Sequence, residues 1–272
     1  MSEITGATTG NEELRYEVDG NIAVLTFNRP ERMNTISPTM LDALCDRLLQ
    51  ADRDRNIRCI VLTGEGRAFC AGLDVKAQAS GDGMLQDSAM SVPELDLRHT
   101  PPTVLHELDT PVIAAINGGA AGYGLDIALG CDIRIAGQSA KLAVAFAKRG
   151  ILPESGGTWL LPRLIGYAKA AEIAFTGATL SATEAAELGL VNRVVADDVL
   201  MKEAMTMAET IAANAPLAVR ATKRMMRMAE TETFEQNVHH VFLQLLPLLR
   251  SKDFVEGMTA FVERRAPNFI GR

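Results

Sequence analysis

Two stretches decide the fold of this chain: Arg67-Ala68-Phe69-Cys70-Ala71-Gly72-Leu73-Asp74 and Asn117-Gly118-Gly119-Ala120-Ala121-Gly122-Tyr123-Gly124. An apolar run precedes each of them, residues 59–63 in the first case and 111–116 in the second. Small residues at a strand end leave backbone N–H groups free where the chain turns into a helix. Two such turns that face each other can hold a developing oxyanion between two amides. The pair therefore favours acyl-transfer or enolate chemistry, although Gly and Ala at a strand end are also typical of ordinary turns.

The composition is that of a globular protein with an acidic balance of charge. The chain has 272 residues, 47% of them hydrophobic and 5% aromatic, and its formal net charge is −7. This length allows one large or two small domains with a substantial core. The negative charge argues against nonspecific binding to nucleic acid, which requires a basic surface.

Neither the N-terminus nor any apolar run indicates export or a membrane. Residues 1–11 are polar and lack the basic and apolar regions of a secretory signal. No apolar run reaches the roughly 18 residues that suggest a membrane span. The cysteines lie within or beside apolar stretches, without CxxC spacing: Cys45, Cys59, Cys70 and Cys131. We therefore expect buried free thiols in a cytoplasmic protein.

The first half of the chain alternates strands with helices. Residues 14–18 and 22–27 alternate around Asp19-Gly20-Asn21, which predicts a β-hairpin. Ser37 then caps a helix, and a strand follows near residues 57–63. A strand, a helix and a strand in this order predict a parallel sheet with a crossover helix.

Irregular and helical patterns fill most of the rest. Residues 78–100 lack periodicity and are rich in Ser, Gly and Asp, which predicts a loop or lid. Helical patterns dominate after Gly156, with a capping box at Ser181 and Glu184. Further expected elements are strands at 131–136 and 190–195 and helices at 122–129, 199–213, 216–229, 234–249 and 252–264. We divide the chain into a core, residues 1–200, and a C-terminal helical region, residues 201–272.

Short motifs along nearly the whole chain form an ordered set. They are Asn28-Arg29-Pro30, Ala68-Phe69-Cys70-Ala71-Gly72 with Asp74, Ala114-Ala115-Ile116-Asn117-Gly118, Gly156-Gly157-Thr158, Leu161-Pro162-Arg163, Thr176-Gly177, Gly189-Leu190-Val191, and Phe261 with Arg264. No single motif is specific, but their order is. From about Leu14 to the C-terminus the chain resembles the crotonase superfamily, which contains the enoyl-CoA hydratases and isomerases.

The resemblance implies an α/β fold, a crotonase-like spiral of ββα units followed by a C-terminal helical trimerisation region. It implies a homotrimer or a dimer of trimers that acts on an acyl-CoA thioester, with no cofactor beyond the coenzyme A of that substrate. By position, the backbone amides of Leu73 and Tyr123 form the oxyanion hole for the thioester oxygen. Tyr123 stands where the family commonly has glycine. This departure need not abolish the oxyanion hole, because only the N–H is used.

The positions that hold carboxylates in this family vary with the reaction. Hydratases resemble one another in two glutamates that hold and activate a water. The first of these positions matches Asp126, and the second matches Phe146, which has no acid–base chemistry. Glu154 instead is similar to the single catalytic acid of Δ3,Δ2-enoyl-CoA isomerases, and to the Asp of the ring-opening isomerases of phenylacetate breakdown. The resemblance therefore assigns catalysis to Glu154, with Asp126 as a second catalytic or supporting acid.

One base is enough to move a double bond from the β,γ to the α,β position, because it removes a proton at C2 and returns it at C4. Each oxyanion-hole amide contributes about 3–4 kcal/mol to stabilising the enolate. Partial desolvation raises the pKa of the base toward the working pH. Apolar neighbours expected to desolvate Glu154 are Ile151, Leu152, Pro153 and Trp159. Each acid also has an interpretation without catalysis. Glu154 would be an acid in the cap region of the Gly156 helix, stabilised by the helix N-terminus. Asp126 would interact with the helix dipole or make hydrogen bonds in the first turn of its helix.

The resemblance also assigns residues to the coenzyme A half of the substrate: Arg29, Arg67, Ala68, Ala71, Asp74 and Arg264. The first two arginines are expected at the phosphates, and the backbone of the two alanines faces the adenine. Arg264 is expected to reach the phosphates of a coenzyme A bound to a neighbouring subunit. A solvated surface charge is the alternative for each arginine.

Other classes of protein fit less well. Gly122-Tyr123-Gly124 follows a strand, as in dinucleotide-binding oxidoreductases, but Ile127 stands at the third glycine position and no acid ends the next strand. A serine hydrolase would need a GxSxG elbow, which the sequence lacks. The histidines have no metal-ligand spacing with Cys or Asp, so no metal is expected. A hydratase that uses Asp126 and Glu154, and a family member that only binds acyl-CoA, stay open.

Overall fold

Two β-sheets form the centre of the protein, for which the computed structural model describes residues 13–74 and 97–272. The larger sheet consists of β1 (Leu14–Asp19), β2 (Ile22–Phe27), β3 (Cys59–Gly64), β5 (Val112–Ile116), β7 (Ile133–Gly137) and β10 (Arg193–Val195), in that order. The smaller sheet consists of β4 (Ala68–Cys70), β6 (Gly119–Ala121), β8 (Lys141–Ala143) and β9 (Thr179–Ser181), in that order.

Helices connect and cover these sheets. Those in the first part of the chain are α1 (Pro38–Arg53), α2 (Pro101–Glu107), α3 (Tyr123–Gly130), α4 (Gly157–Ile165), α5 (Tyr167–Thr176) and α6 (Ala182–Glu187). The C-terminal helices are α7 (Leu200–Ala212), α8 (Pro216–Met228), α9 (Phe234–Leu248) and α10 (Lys252–Glu263). In the described residues, no helix has the length and apolar character needed to cross a membrane.

The chain passes repeatedly from the larger sheet to the smaller one. β3 leads to β4, β5 leads to β6 and β7 leads to β8, and α3 connects the last two passes. Neighbouring strands of these passes pair in parallel within each sheet. The expected spiral of ββα units is thereby confirmed, because each pass adds one strand to both sheets.

Local signals in the sequence predicted several of these elements correctly. β1 and β2 form an antiparallel hairpin, with Gly20 at φ +56° in its turn. The Ser37 hydroxyl caps α1 by accepting the amide of Met40, and β2 then pairs in parallel with β3. The capping box of Ser181 and Glu184 starts α6 as predicted.

The larger sheet is covered on both faces. One face carries the main core, in which Phe27 and Phe69 meet edge to face with ring centroids 5.4 Å apart. The other face packs against α7, whose small side chains allow a close approach. The buried residues of α7 are Leu200, Ala204, Ala208 and Ala212. All four cysteines are buried and free, as predicted.

The C-terminal helices are attached in different ways. Ion pairs join α8 to the core: Arg220 to Asp52, Lys223 to Asp132, and Arg224 to Asp109. In contrast, α9 buries none of its residues in the single chain. The division at residue 200 into a core and an oligomerisation region stays a prediction, although α7 lies beyond it and packs on the sheet.

The predicted bounds of three strands were wrong. The strand expected at 57–63 begins at Cys59, because the Ile57 amide closes a turn onto Asp54 O. The strand expected at 131–136 begins at Ile133. The strand expected at 190–195 begins at Arg193, because the Leu190 amide still bonds to the end of α6. Most of the predicted lid at 78–100 lies outside the described residues.

Candidate active site

The two glycine-rich turns meet at one edge of the smaller sheet. β4 and β6 are parallel neighbours, with Ala68 opposite Gly119. Because the carboxyl ends of parallel strands lie at the same edge, the turn after β4 and the turn after β6 come together. Leu73 lies in the first turn, and Tyr123 is the residue at which α3 begins.

Gly72 is the point of closest approach between these turns. Its φ is +80°, and a Cβ built there would lie 2.5 Å from the Ala121 carbonyl oxygen and 3.3 Å from the Tyr123 amide nitrogen. Gly124 faces β4 in the same way, since a Cβ there would overlap the Cys70 carbonyl oxygen. Glycine at both positions therefore lets the two backbones touch, as the sequence predicted for turns that face each other.

The amides of Leu73 and Tyr123 are both available to a ligand. Tyr123 is the first residue of α3, so its N–H lies ahead of the intrahelical hydrogen bonds. Over residues 13–74 and 97–272, neither this amide nor that of Leu73 donates to a protein acceptor. A carbonyl oxygen placed between the turns can accept from both.

An aromatic ring forms the wall beside this position. Phe146 is 3% exposed, and its ring carbon Cε1 lies 3.8 Å from the position of a Cβ built on Gly122. The side chain that replaces the second hydratase glutamate is therefore packed against the turn that carries Tyr123. This side chain carries no group that could bind a water.

Asp126 is buried one helical turn after Tyr123. Its Oδ2 accepts hydrogen bonds from Ser155 Oγ at 2.7 Å and from the Gly157 amide at 3.2 Å. Its Oδ1 is buried without a hydrogen-bond partner in the described residues. A Cβ on Gly157 would lie 2.9 Å from Asp126 Cγ, so only glycine lets the start of α4 approach the carboxyl.

Burial dominates the electrostatics of this carboxyl. The pKa of Asp126 is raised to about 7, because desolvation by burial and, to a smaller extent, the charge of Glu154 outweigh the hydrogen bonds from Ser155 and Gly157. Asp126 is thus close to half protonated at neutral pH. Asp126 makes hydrogen bonds, as the alternative without catalysis expects. A proton-transfer role for Asp126 stays a prediction.

Glu154 is the more exposed of the two acids. Partial burial raises the pKa of its carboxyl above the ordinary value. Its charge also contributes to raising the pKa of Tyr123, after burial and Cys45. Glu154 makes no capping hydrogen bond to α4, whose N-cap is Gly156, and the alternative of a cap-region acid stabilised by the helix N-terminus stays a prediction. The Gly157 amide is bound by Asp126 instead.

The apolar pocket predicted around Glu154 is only partly present in the single chain. Ile151 is 39% exposed and Leu152 is 65% exposed, so neither packs closely over the carboxyl. Trp159 is half-buried and stacks with His106 edge to face at 5.2 Å. The expectation of desolvation by Ile151 and Leu152 was wrong, because the chain turns at residues 154–156 and leaves both side chains toward solvent.

The two arginines expected at the phosphates differ in their surroundings. The Arg29 side chain is 13% exposed, pairs with Glu13 at 3.2 Å, and donates to the Thr35 carbonyl at 2.8 Å. These contacts give Arg29 a role in holding the chain before α1. Arg67 is exposed, and its Nε lies 2.9 Å from Met33 Sδ. Within the described residues the two terminal nitrogens of Arg67 make no hydrogen bond or ion pair, whereas Arg29 is engaged by Glu13 and Thr35.

The remaining coenzyme A candidates fall in two places. Ala68, Ala71 and Asp74 lie along one segment, and Asp74 pairs with Arg32 at 3.0 Å. The Ala68 carbonyl accepts from two asparagine amides, so it is saturated within the chain. Arg264 is an exposed residue at the C-cap of α10, with φ +54°. In the described contacts, nothing brings Arg264 to the other candidates.

The family follows from these features and from comparison with known proteins. The chain matches the family model described as enoyl-CoA hydratase/isomerase over residues 17–272. The chain belongs to the enoyl-CoA hydratase/isomerase family. The crotonase resemblance drawn from the motifs is thereby confirmed. Members of this family need no cofactor beyond the coenzyme A of the substrate, as expected.

Relatives in the enoyl-CoA hydratase/isomerase family include both isomerases and hydratases. A 1,2-epoxyphenylacetyl-CoA isomerase from Escherichia coli is 41% identical over 96% of this chain and 99% of its own. An (E)-benzylidenesuccinyl-CoA hydratase from Thauera aromatica is 38% identical over 94% of this chain and 98% of its own. The crystal structure of an enoyl-CoA hydratase from Mycobacterium tuberculosis is similar with a TM-score of 0.87, at 34% identity over 96% and 100% of the two chains.

Three residues of the site carry roles that sequence reasoning missed. Ser155 and the Gly157 amide bind Asp126, although only Glu154 in that segment was assigned a function. Asn34 is fully buried, and its side chain binds the carbonyls of Glu65 and Ala68 ahead of the oxyanion-hole turn. For Ser155 and Gly157, the available sequence signal was the run Ser155-Gly156-Gly157 directly after an acidic residue. For Asn34, no local pattern distinguishes this role from an ordinary turn.

Gly72→Ala is expected to lower kcat on an enoyl-CoA substrate by about 100-fold, because the new methyl group pushes the two oxyanion-hole amides apart. Gly20→Ala is the matched control. It introduces the same positive-φ strain at a position with nothing within 4 Å of its Cβ. Positive φ should cost both variants roughly 1–2 kcal/mol of unfolding free energy, and the contact with the Ala121 carbonyl should cost Gly72→Ala more. Only Gly72→Ala should lose turnover. Equal kcat values for the two variants would contradict the assignment of the turn.

Asp126→Asn tests the raised pKa of Asp126 through stability. Between about pH 4 and about pH 7 the unfolded carboxyl loses its proton while the folded one keeps it, so the wild-type free energy of unfolding falls with rising pH. The contribution of this group is about 1.4 kcal/mol per pH unit in that window and levels off above it. Urea unfolding of both proteins should show the asparagine variant gaining relative stability as the pH rises. A difference that does not vary with pH would mean an ordinary carboxyl pKa.

Proposed function

We propose that this protein is an enoyl-CoA isomerase that moves a double bond from the β,γ to the α,β position, with Glu154 as its base. The observation that carries the proposal is the shortage of carboxylates at the site. Phe146 occupies the position of a second acid, and Asp126 Oδ2 is committed to Ser155 and Gly157. Glu154, in contrast, is exposed, and its charge acts on both Tyr123 and Asp126, so among the described residues it is the acid that we assign to the substrate.

In the proposed reaction the thioester oxygen binds between the amides of Leu73 and Tyr123. Removing the C2 proton transfers negative charge to that oxygen, which the two N–H groups stabilise. A loss of about 3–4 kcal/mol per missing donor is typical of such sites. The dienolate carries charge at both C2 and C4, so the same proton can return at C4. The double bond then lies in conjugation with the thioester, and the enzyme returns to its starting state.

Glu154 has the properties that this shuttle requires. Partial burial raises the pKa of its carboxyl, which makes it a better base than an ordinary glutamate at the same pH. It makes no ion pair in the described residues that would hold the carboxylate ionised. It stays exposed enough to reach a substrate, whereas Asp126 is 1% exposed.

The relatives bear on the choice between isomerisation and hydration. The Escherichia coli relative is named as an isomerase, which supports this reaction class, and the Thauera aromatica relative is named as a hydratase. Hydration by this chain would use Asp126 and Glu154 around one water. A carboxyl with a pKa of about 7 suits such a role, but its free oxygen is packed against Gly157. Hydration is therefore the second candidate.

Glu154→Gln is expected to lower kcat for a β,γ-enoyl-CoA by about 100- to 10,000-fold, because the amide cannot accept the C2 proton. Binding of the substrate should change little, since the glutamine has the same shape. Absorbance of the conjugated thioester measures the reaction, and titration of the protein with the α,β-enoyl-CoA product measures the binding affinity. Glu172→Gln is the control: Glu172 is an exposed glutamate that pairs with Lys169 on α5.

The same assay separates the candidate functions. Wild-type protein should increase the conjugated absorbance of a β,γ-enoyl-CoA and leave an α,β-enoyl-CoA unchanged. Loss of absorbance from the α,β-enoyl-CoA would mean hydration, and would assign a catalytic role to Asp126 and a bound water. Binding without turnover of either substrate would mean a family member that only holds acyl-CoA.

Coenzyme A binding and assembly complete the proposal. In this proposal the nucleotide half of coenzyme A meets Arg67, the backbone at Ala71 and the segment to Asp74, and Arg264 reaches a coenzyme A on a neighbouring subunit. The surface that would join the subunits lies on α9 and α10. Its exposed apolar residues are Phe234, Val238, Val241, Phe242, Leu243, Leu245, Leu246, Phe254, Val255, Met258, Phe261 and Val262. A surface of this size and apolarity needs a partner, and a homotrimer or a dimer of trimers supplies one.

Phe261→Glu is expected to dissociate the assembly, because Phe261 is 83% exposed in the single chain and would carry a buried charge in the interface. Sedimentation velocity at one protein concentration measures the mass. Phe175→Glu is the matched control, since Phe175 is 76% exposed on α5, outside the α9 and α10 surface. An unchanged mass for Phe261→Glu would rule out this surface as the interface.

A further inference from the structure

A buried acid connects the two halves of the site. Asp126 lies three residues after Tyr123 on α3, and its amide donates to the Gly122 carbonyl at 3.0 Å. Its carboxyl binds Ser155 Oγ at 2.7 Å and the Gly157 amide at 3.2 Å. Ser155 directly follows Glu154. The same residue therefore contacts the helix that presents the oxyanion-hole amide and the turn that presents the base.

Little else holds that turn. Residues 152–155 contribute no backbone-to-backbone hydrogen bond in the described part of the chain, and Leu152 is 65% exposed. Ser155, in contrast, is 1% exposed with its hydroxyl on Asp126. The contacts to Asp126 are thus the main polar link between the Glu154 turn and the rest of the site.

The geometry does not suit Asp126 for proton exchange with a substrate. Its Oδ2 is occupied by two donors, and its Oδ1 is buried against Gly157 without a partner in the described residues. A Cβ on Gly157 would lie 2.9 Å from the carboxyl carbon, so no water fits between them. A group enclosed in this way can hold neighbouring atoms in place but cannot reach C2 or C4 of an acyl chain.

We propose that Asp126 is a positioning residue which, through Ser155 and Gly157, fixes the base Glu154 relative to the oxyanion-hole amide of Tyr123. This inference rests on the isomerase function proposed above. Asp126 does not carry the migrating proton. It sets the distance between the group that removes the proton and the group that stabilises the charge, and a shift of about 1 Å in such a distance can lower a rate about 100-fold.

Ser155→Ala removes one donor of this link and nothing else at the site. We expect kcat on a β,γ-enoyl-CoA to fall about 10- to 100-fold, with KM changed by less than about threefold. Ser181→Ala is the matched control, because Ser181 loses a comparable capping hydrogen bond at the start of α6. Both variants should lose similar stability, but Ser181→Ala should keep its kcat. Wild-type kcat in Ser155→Ala would overturn the proposal.

Asp126→Asn distinguishes positioning from proton transfer. The amide oxygen can still accept from Ser155 and Gly157, so kcat should stay within about fivefold of wild type, whereas Asp126→Ala should fall at least tenfold. An asparagine variant as inactive as the alanine variant would assign Asp126 to proton transfer and overturn the proposal.

Gly157→Ala perturbs the same link by adding a methyl group at a helical position. Its loss of kcat should disappear when Asp126 is already alanine, because the methyl group then meets no carboxyl. Additive losses in this double-mutant cycle would contradict the link. Glu154→Gln, assayed alongside, distinguishes failure of the proposed function from failure of this inference. Turnover retained in Glu154→Gln would refute Glu154 as the base. Turnover lost in Glu154→Gln but unchanged in Ser155→Ala and Gly157→Ala would refute only the positioning role of Asp126.

Discussion

The contact between Gly72 and the backbone of Ala121 and Tyr123 is the constraint on which the site depends. No side chain fits there, since a Cβ on Gly72 would lie 2.5 Å from the Ala121 carbonyl oxygen. The distance between the amides of Leu73 and Tyr123, the proposed oxyanion hole, is consequently set by the pairing of β4 with β6, and not by side chains. A preorganised pair of donors of this kind stabilises charge without reorganising during the reaction. The spiral of ββα units provides it, because each pass brings the next strand end to the same edge.

The two acids next to this pair, Asp126 and Glu154, differ in how far the fold buries them. Asp126 is enclosed, and burial raises its pKa to about 7 while its neighbours donate hydrogen bonds to one oxygen. Glu154 sits on an open turn, where partial burial raises its pKa and leaves its carboxyl accessible. A base must touch its substrate, whereas a residue that holds two elements together works best when it is buried and fully packed. Accessibility therefore separates the two roles more clearly than residue type does.

Local chemistry in the sequence was sufficient for the hairpin, the helix caps and the convergence of the two glycine-rich turns. These depend on neighbouring residues, such as Ser37 ahead of α1 or Gly20 between β1 and β2. The strands of the smaller sheet were not predicted, because each has only three residues, which is too short for an alternating pattern to be recognised. The contact between Ser155 and Asp126 joins residues 29 apart and has no periodic signal. The apolar neighbours of Glu154 were misjudged because closeness in sequence does not fix the direction of side chains on a turn.

The C-terminal region shows how one stretch of helices can be both anchored and exposed. Charged residues of α8 bind acids of the core, and Pro216 and Met225 are buried, so ion pairs and apolar contacts together fix its orientation. Asp253 at the start of α10 is 3% exposed and accepts the amides of Ile270 and Gly271, and Arg58 binds the Phe269 carbonyl. The last residues of the chain are therefore tied back to α10 and to the sheet. Because α10 is held in this way before any partner is bound, its apolar residues form a preordered surface. In the assembly proposed above, association would order few additional groups, which reduces its entropy cost.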